Sequence, residues 1–188
     1  IGEAPISISS SPSRSNGTFE LCVRNVGDLT NALHGLQPED LVGVRGPFGN
    51  GFPIDKMKGK DILFAAGGLG LAPLRSLINQ VLDQRGSFGR VIILYGTKHP
   101  TEILFEWELD EWATREDVEF LATVDQADED WLLPRMQQQN SHEIRMMGEQ
   151  LDWRGNVGVI TTLFPMITIN PRNTVAVACG PPIMYRFV

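Results

Sequence analysis

Two rhythms of apolar and polar positions meet near residues 53–59 of the sequence. Before that point, short β-prone pieces at 6–10, 18–26 and 41–45 are separated by turns. Phe19, Leu21 and Val23 alternate with Glu20, Cys22 and Arg24, as in a strand with one buried face. Asn16-Gly17 supplies a tight turn between two of the pieces. Such strands suit a small barrel, yet too few are present to close one. The sequence is therefore expected to be a piece of a longer chain.

After residue 60 the rhythm becomes strand, glycine turn, helix. The apolar run 62–66 is followed by Leu74, Leu77, Ile78, Val81 and Leu82 at helical spacing on one face. Gly86 and Gly89 precede a second apolar run at 91–95, and a helix carrying Leu109 and Trp112 is predicted over 102–114. Strands follow at 118–124, 157–160 and 175–178. Apolar strands alternating with helices predict a largely parallel α/β sheet. The polar stretch 126–152 breaks this rhythm and reads as a surface insertion, in which Met146 and Met147 are packing or contact residues. The expected organisation is a partial β-barrel over 1–52, a linker over 53–59 and an α/β domain over 60–188.

Composition narrows the choice of function. The chain has 188 residues, 42% hydrophobic and 21% charged, with a formal net charge of −7 and no basic block. That balance excludes disorder and argues against nucleic acid as the main partner. No apolar run is long enough to span a bilayer, and the N-terminal stretch lacks the pattern of a secretory signal. Cys22 and Cys179 form no disulfide framework, which fits a cytoplasmic setting. His34, His99 and His142 have no metal-ligand spacing, and no nucleophile–histidine–acid set stands out.

The sharpest chemical signal follows the strand at 62–66: Gly67-Gly68-Leu69-Gly70-Leu71-Ala72-Pro73. Glycines here permit a tight turn and a close ligand approach, and the helix that follows directs its positive end at the turn. Pro73 in the first turn sacrifices little, because early helical N–H groups lack intrahelical partners. A purely structural turn is the alternative reading. The second signal is Val177-Ala178-Cys179-Gly180-Pro181-Pro182, where an apolar strand ends in a thiol and turns abruptly. The carboxyl ends of parallel strands border the ligand crevice of an open sheet. Cys179 is thus placed to face a cofactor ring, with room left by Gly180; equally, it reads as a small buried hydrophobe. Thr30 is predicted to cap a short helix beginning near Gly27.

Taken in order, these motifs resemble the ferredoxin–NADP reductase-like flavoproteins. The branch they resemble most is the FAD/NAD(P)-binding gamma subunit of soluble nickel–iron hydrogenases. The B subunits of anaerobic sulfite reductase and dihydroorotate dehydrogenase are relatives. The likeness rests on PISISS at 5–10, GDLTNAL at 27–33, GPFGNGF at 46–52, AGGLGLAPLR at 66–75, YGT at 95–97, WRGNVG at 153–158 and CGPPIM at 179–184. It implies that FAD lies along Pro5, Ile6, Ser7, Ile8 and Ser9, with Gly27, Leu29 and Thr30 around its pyrophosphate. It further implies that NAD(P) lies over Gly67, Gly68, Gly70, Leu71, Ala72 and Pro73, with Gly96 and Thr97 nearby. Cys179, Gly180, Pro181 and Pro182 would then flank the nicotinamide.

What the resemblance implies for function is an NAD(P)H-linked flavin oxidoreductase subunit. Reducing equivalents would pass to an iron–sulfur protein and catalytic redox subunits, foremost those of a nickel–iron hydrogenase. A sulfite reductase subunit, a stand-alone reductase and a non-catalytic nucleotide-binding scaffold are the alternatives. A [2Fe–2S] cluster is expected only in sequence beyond residue 188, because Cys22 and Cys179 cannot supply four ligands. No metal site is expected within the chain. Lys98, just after the 95–97 motif, is a candidate for contact with a 2′-phosphate.

Overall fold

A computed structural model describes residues 2–132 and 153–188. Its strands are β1 (Asp61–Gly67), β2 (Val91–Thr97), β3 (Glu119–Val124) and β4 (Thr174–Cys179). Its helices are α1 (Asp28–His34), α2 (Ile54–Met57), α3 (Leu71–Asp83) and α4 (Glu106–Thr114). The strands form one parallel sheet in the order β3-β2-β1-β4.

The consecutive apolar residues of β1 and β2 are explained by burial on both faces. Ile62, Phe64 and Ala66 join a cluster with Leu74, Ile78 and Val81 of α3 and with Leu109 and Trp112 of α4. On the opposite face Leu63 and Ala65 meet Ile92, Leu94, Ile160, Leu163 and Met184. The helical side is completed by aromatic rings in edge-to-face contact. Trp112 meets Phe120, Phe120 meets Trp153, and Trp153 meets Trp131, with centroids 5.8–6.2 Å apart. Trp153 Nε1 donates to Asp110 Oδ1 at 2.6 Å and Trp131 Nε1 to the Asn156 carbonyl at 2.9 Å. Both flanks of the expected insertion are thus pinned to the core; His142, Met146 and Met147 lie outside the described residues.

Three expectations differ from the structure. The predicted strand at 157–160 reduces to one parallel bridge, Val124 to Val157. Gly158, at φ +124°, turns the chain out of the ladder and Ile160–Met166 continues as a 3-10 helix. The helix predicted from Glu102 starts at Glu106. Leu104 donates its N–H to the Tyr95 hydroxyl, and Phe105 adopts a left-handed φ of 54°, so the helix cannot begin earlier. The β-prone pieces before residue 53 pair only at the antiparallel bridge Ile8 to Leu21. A two-stranded pair is marginal without a third strand or a helix to cover it, and Leu21, Val42 and Val44 are exposed.

Within the expected linker, α2 lays Met57 into the core, and Gly59 donates its N–H to the Ser87 carbonyl. Among the described residues before Met57, only Ser9 and Ser11 are buried. They lie along a polar stripe of α3. Ser11 Oγ donates to Gln80 Oε1 at 3.1 Å, Ser13 N–H donates to the same oxygen at 3.2 Å, and Arg14 pairs with Asp83 at 2.8 Å. Helix α3 therefore presents its apolar face to the sheet and this stripe to the N-terminal segment.

The hydrogen bond from Arg14 holds the Asp83 carboxyl below its ordinary value, against a smaller opposing effect of burial. A carboxylate depressed by folding stabilises the fold above its unfolded pKa and loses that contribution as pH falls through the folded value. Acidification below about pH 4 is expected to lower amide protection at Ser13 and Arg14 before β1 responds. Asp83→Asn should reproduce the loss at neutral pH, as read by hydrogen exchange.

Candidate functional site

The chain passes from β1 outward through β2 to β3 and returns to the other side of β1 as β4. The order therefore reverses between β1 and β4, and an open parallel sheet binds ligands at the carboxyl ends of strands beside such a reversal. The two glycine turns singled out in the sequence sit there together: Ala66 is the register partner of Cys179, so Gly67–Gly70 and Cys179–Pro182 leave adjacent strands side by side.

Their glycines do different things. A Cβ on Gly70 would overlap the Cys179 carbonyl and come within 2.7 Å of the Gly180 nitrogen. One on Gly67 would meet Met184 Sδ at 2.8 Å and Pro181 Cδ at 2.9 Å, and one on Gly180 would meet Gly67 Cα at 3.1 Å. These three positions let the two turns close on each other. Gly68 has φ +52° and nothing within 4 Å of where a Cβ would stand. Gly68 is half-buried, and a side chain there would point into open space and not into the neighbouring turn.

Helix α3 starts immediately behind this turn. Its thirteen residues give it a full macrodipole, and no acidic side chain in its first turn offsets the positive end. A pyrophosphate suits this place: open glycine backbone in front, a helix N-terminus behind. Leu71 and Ala72 are buried, and the Leu71 N–H already bonds the Gly68 carbonyl, so both serve the turn through packing. Pro73 is half-buried in the first turn of α3.

The structure places the remaining sequence candidates unevenly. Cys179 ends β4 half-buried against the helical-side core. Pro181 and Pro182 are exposed. Gly96 at the end of β2 packs under Ile160, whose Cβ would lie 3.1 Å from an added methyl. Thr97 is buried and its hydroxyl donates to the His99 carbonyl at 2.9 Å, while Lys98 is exposed. Ser9 is buried, donating its hydroxyl to the Glu20 carbonyl at 3.2 Å; Pro5, Ser7 and Ile8 are exposed and Ile6 half-buried. Thr30 is not the cap residue of α1: Gly27 holds that position. Thr30 reaches back from the third helical position, accepting from the Val26 and Gly27 N–H groups at 2.9 and 3.0 Å. Gly27 is exposed, with Leu29 and Thr30 half-buried. Among the described residues no His, Cys, Asp or Glu cluster suits a metal ion.

Sequence reasoning gave no role to Arg75 and Glu108. Arg75, one turn into α3, is buried and grips Glu108 of α4 at two points, Nε to Oε2 at 2.8 Å and Nη2 to Oε1 at 2.6 Å. Asn79 Nδ2 adds a third hydrogen bond to Glu108, at 3.2 Å. Two charges with this little contact with water need each other, since breaking one partner leaves the other buried and uncompensated. The sequence signals were a polar residue at an otherwise apolar helix spacing and the place of Arg75 at the end of the 66–75 motif.

An open α/β sheet with a glycine turn before a helix at its strand reversal defines the class of dinucleotide-binding domains. The model of the oxidoreductase NAD-binding domain family matches residues 64–188, and the chain belongs to that family. It is 38% identical to the sulfhydrogenase 1 subunit gamma of Pyrococcus furiosus, over all of this chain and 57% of that protein. It is 40% identical over 104 residues to a probable dihydroorotate dehydrogenase B (NAD(+)) electron transfer subunit of Methanothermobacter thermautotrophicus, covering 55% of this chain and 36% of that one. A ferredoxin NADP+ reductase from Neisseria gonorrhoeae, solved with bound FAD and NADP, shares the fold with a TM-score of 0.61 at 18% identity. That match covers 96% of this chain and 68% of the other. The chain thus spans less than two-thirds of the length of these curated relatives.

The packing of the two turns sets an expectation for stability. Gly70→Ala should destabilise the fold by about 1–3 kcal/mol, the usual consequence of forcing an extra methyl into a packed site. Gly68→Ala should lose less, about 1 kcal/mol for a left-handed alanine without a clash. Urea denaturation of the two variants checks the order.

Proposed function

We propose that this chain is the cofactor-binding part of an electron-transfer oxidoreductase subunit that holds FAD and NAD(P) side by side. The observation that carries the reading is the likeness to a sulfhydrogenase gamma subunit along the whole chain. The paired glycine turns at the sheet reversal support it. In this reading residues 1–52 belong to the flavin-binding barrel, 53–59 link it to the nicotinamide domain, and 60–188 form that domain with its insertion at 126–152. Reducing equivalents pass between NAD(P)(H) and an iron–sulfur partner in a hydrogenase complex. The setting is the cytoplasm, where thiols such as Cys179 stay reduced.

A flavin held along Pro5 to Ser9 and a nicotinamide held at Cys179 to Pro182 would supply the chemistry, the exchange of a hydride between two redox rings. The protein supplies position and exclusion of water. Gly68 lets the pyrophosphate reach the backbone, and the N-terminus of α3 offsets its charge. Gly67, Gly70 and Gly180 hold the β1 and β4 turns together, so that Cys179, Pro181 and Pro182 form a fixed wall for the nicotinamide. Pro5 to Ser9 lie along the flavin, with Gly27, Leu29 and Thr30 at its pyrophosphate. Gly96 and Thr97 shape the adenosine side of the crevice through packing.

The test is anaerobic titration of the full-length protein. Purified protein should carry a flavin absorbance that bleaches with one equivalent of NADH or NADPH; lack of flavin, or no bleaching with either, overturns the reading. Gly68→Val, with a branched side chain at the crevice mouth, should weaken nicotinamide binding at least tenfold while flavin content holds. Cys179→Ala should slow flavin reduction with flavin still bound, and stopped-flow absorbance separates the two variants.

A further inference from the structure

The ion pair inside the α/β domain has a second arm that leaves it. Arg75 Nη1 donates to the Ser9 carbonyl at 3.3 Å and to a carboxylate oxygen of Glu20. Ser9 and Glu20 belong to the bridged pair of N-terminal segments, where Ser9 N–H donates to the Glu20 carbonyl at 2.9 Å. One guanidinium therefore ties α3 and α4 to the segments 5–9 and 18–26. The face of the same group lies over the Phe105 ring, 4.4 Å from its centroid. Phe105 stands in the left-handed region at φ 54°, an uncommon backbone state for a bulky residue. Strain held against a buried charge marks a place where geometry matters more than local stability.

The location sharpens this. Arg75 lies about one turn of α3 beyond the Gly67–Gly70 turn, on the helix whose N-terminus backs the crevice. On the other side it grips Ser9, at the end of the stretch 5–9. We propose that Arg75, oriented by Glu108, is a positioning residue that fixes the distance between segment 5–9 and the glycine crevice, and thereby the alignment of the two cofactor rings. This rests on the functional reading given above. The guanidinium suits the task because its planar fork satisfies a bidentate carboxylate and two further acceptors at once; a lysine ammonium at the same place keeps the charge but cannot span all of them. Misplacement of reacting atoms by about 1 Å can cost about a hundredfold in rate.

The test compares Arg75→Lys and Glu20→Ala with the wild type in the full-length, flavin-loaded protein. Arg75→Lys keeps a cation beside Glu108, and Glu20→Ala removes only an exposed group, so the second decides if the first does not fold. The first readout needs no turnover: amide exchange at Ser9 should rise about tenfold in both variants, while β1 amides are unchanged. The second is single-turnover flavin reduction by NAD(P)H. Its limiting rate should fall about tenfold or more in Arg75→Lys, and several-fold in Glu20→Ala, with nicotinamide affinity within twofold of wild type. The long-wavelength charge-transfer absorbance of the reduced flavin–nicotinamide pair should weaken in parallel. Unchanged Ser9 exchange, or a wild-type limiting rate in a folded variant, overturns the proposal. A wild-type protein that NAD(P)H does not reduce overturns the functional reading instead, and the exchange result still decides whether Arg75 holds the segment.

Discussion

Two loops leaving neighbouring parallel strands come so close that three of their glycines leave no room for a Cβ. Gly70 lies under the Cys179 carbonyl, and Gly67 lies under Gly180, Pro181 and Met184. Gly70 meets the opposite loop backbone against backbone, whereas Gly67 and Gly180 are closed in first by the side chains of Met184 and Pro181, so both loops require glycine. Everything about the crevice follows from that contact. It fixes where α3 begins, it holds the carboxyl end of β4 beside that of β1, and it leaves Gly68 as the one turn glycine with open space before it. The same spot is where strand order reverses, so the sheet offers a cleft there and the glycines keep it narrow.

Helix α3 connects this contact to the rest of the molecule. Its apolar face packs on the sheet through Leu74, Ile78 and Val81, its N-terminus supports the glycine turn, and its polar stripe receives Ser9, Ser11 and Arg14. These are unlike interactions. The sheet contact is broad, apolar and tolerant of small errors, whereas the stripe is a short series of hydrogen bonds. Among the described ion pairs, only Arg75 with Glu108 is buried on both sides. Exposed pairs such as Arg14 with Asp83 contribute little and yield to pH. The N-terminal segments are therefore held to α3 through polar contacts at Arg75, Gln80 and Asp83, and the apolar residues Leu21, Val42 and Val44 remain exposed.

The family membership and the geometry bear on each other. A nucleotide-binding domain of this kind needs little reactive chemistry of its own, because the redox work belongs to its cofactors. The two turns themselves hold no histidine or carboxylate. The buried charges of Arg75 and Glu108 and the left-handed Phe105 are gathered about one turn of α3 beyond the glycine turn.

The sequence by itself determined the strands β1, β2, β3 and β4, the glycine turn and the helix after it. Their signals are local: a run of apolar residues buried on two faces, a cluster of glycines, a helical repeat of leucine and valine. It also held the family likeness, because the two turn motifs keep their residues at fixed spacing. Tertiary structure alone decided that Gly67, Gly70 and Gly180 face one another, since nothing near either motif records which strand will lie beside it. It moved Thr30 from the cap to the third helical position and ended the predicted strand at Gly158, where backbone dihedrals overruled an apolar pattern. Above all it turned Arg75, Glu20 and Glu108 into one cluster. Charges 33 and 55 residues apart in sequence become partners only after the sheet and two helices have been assembled around them.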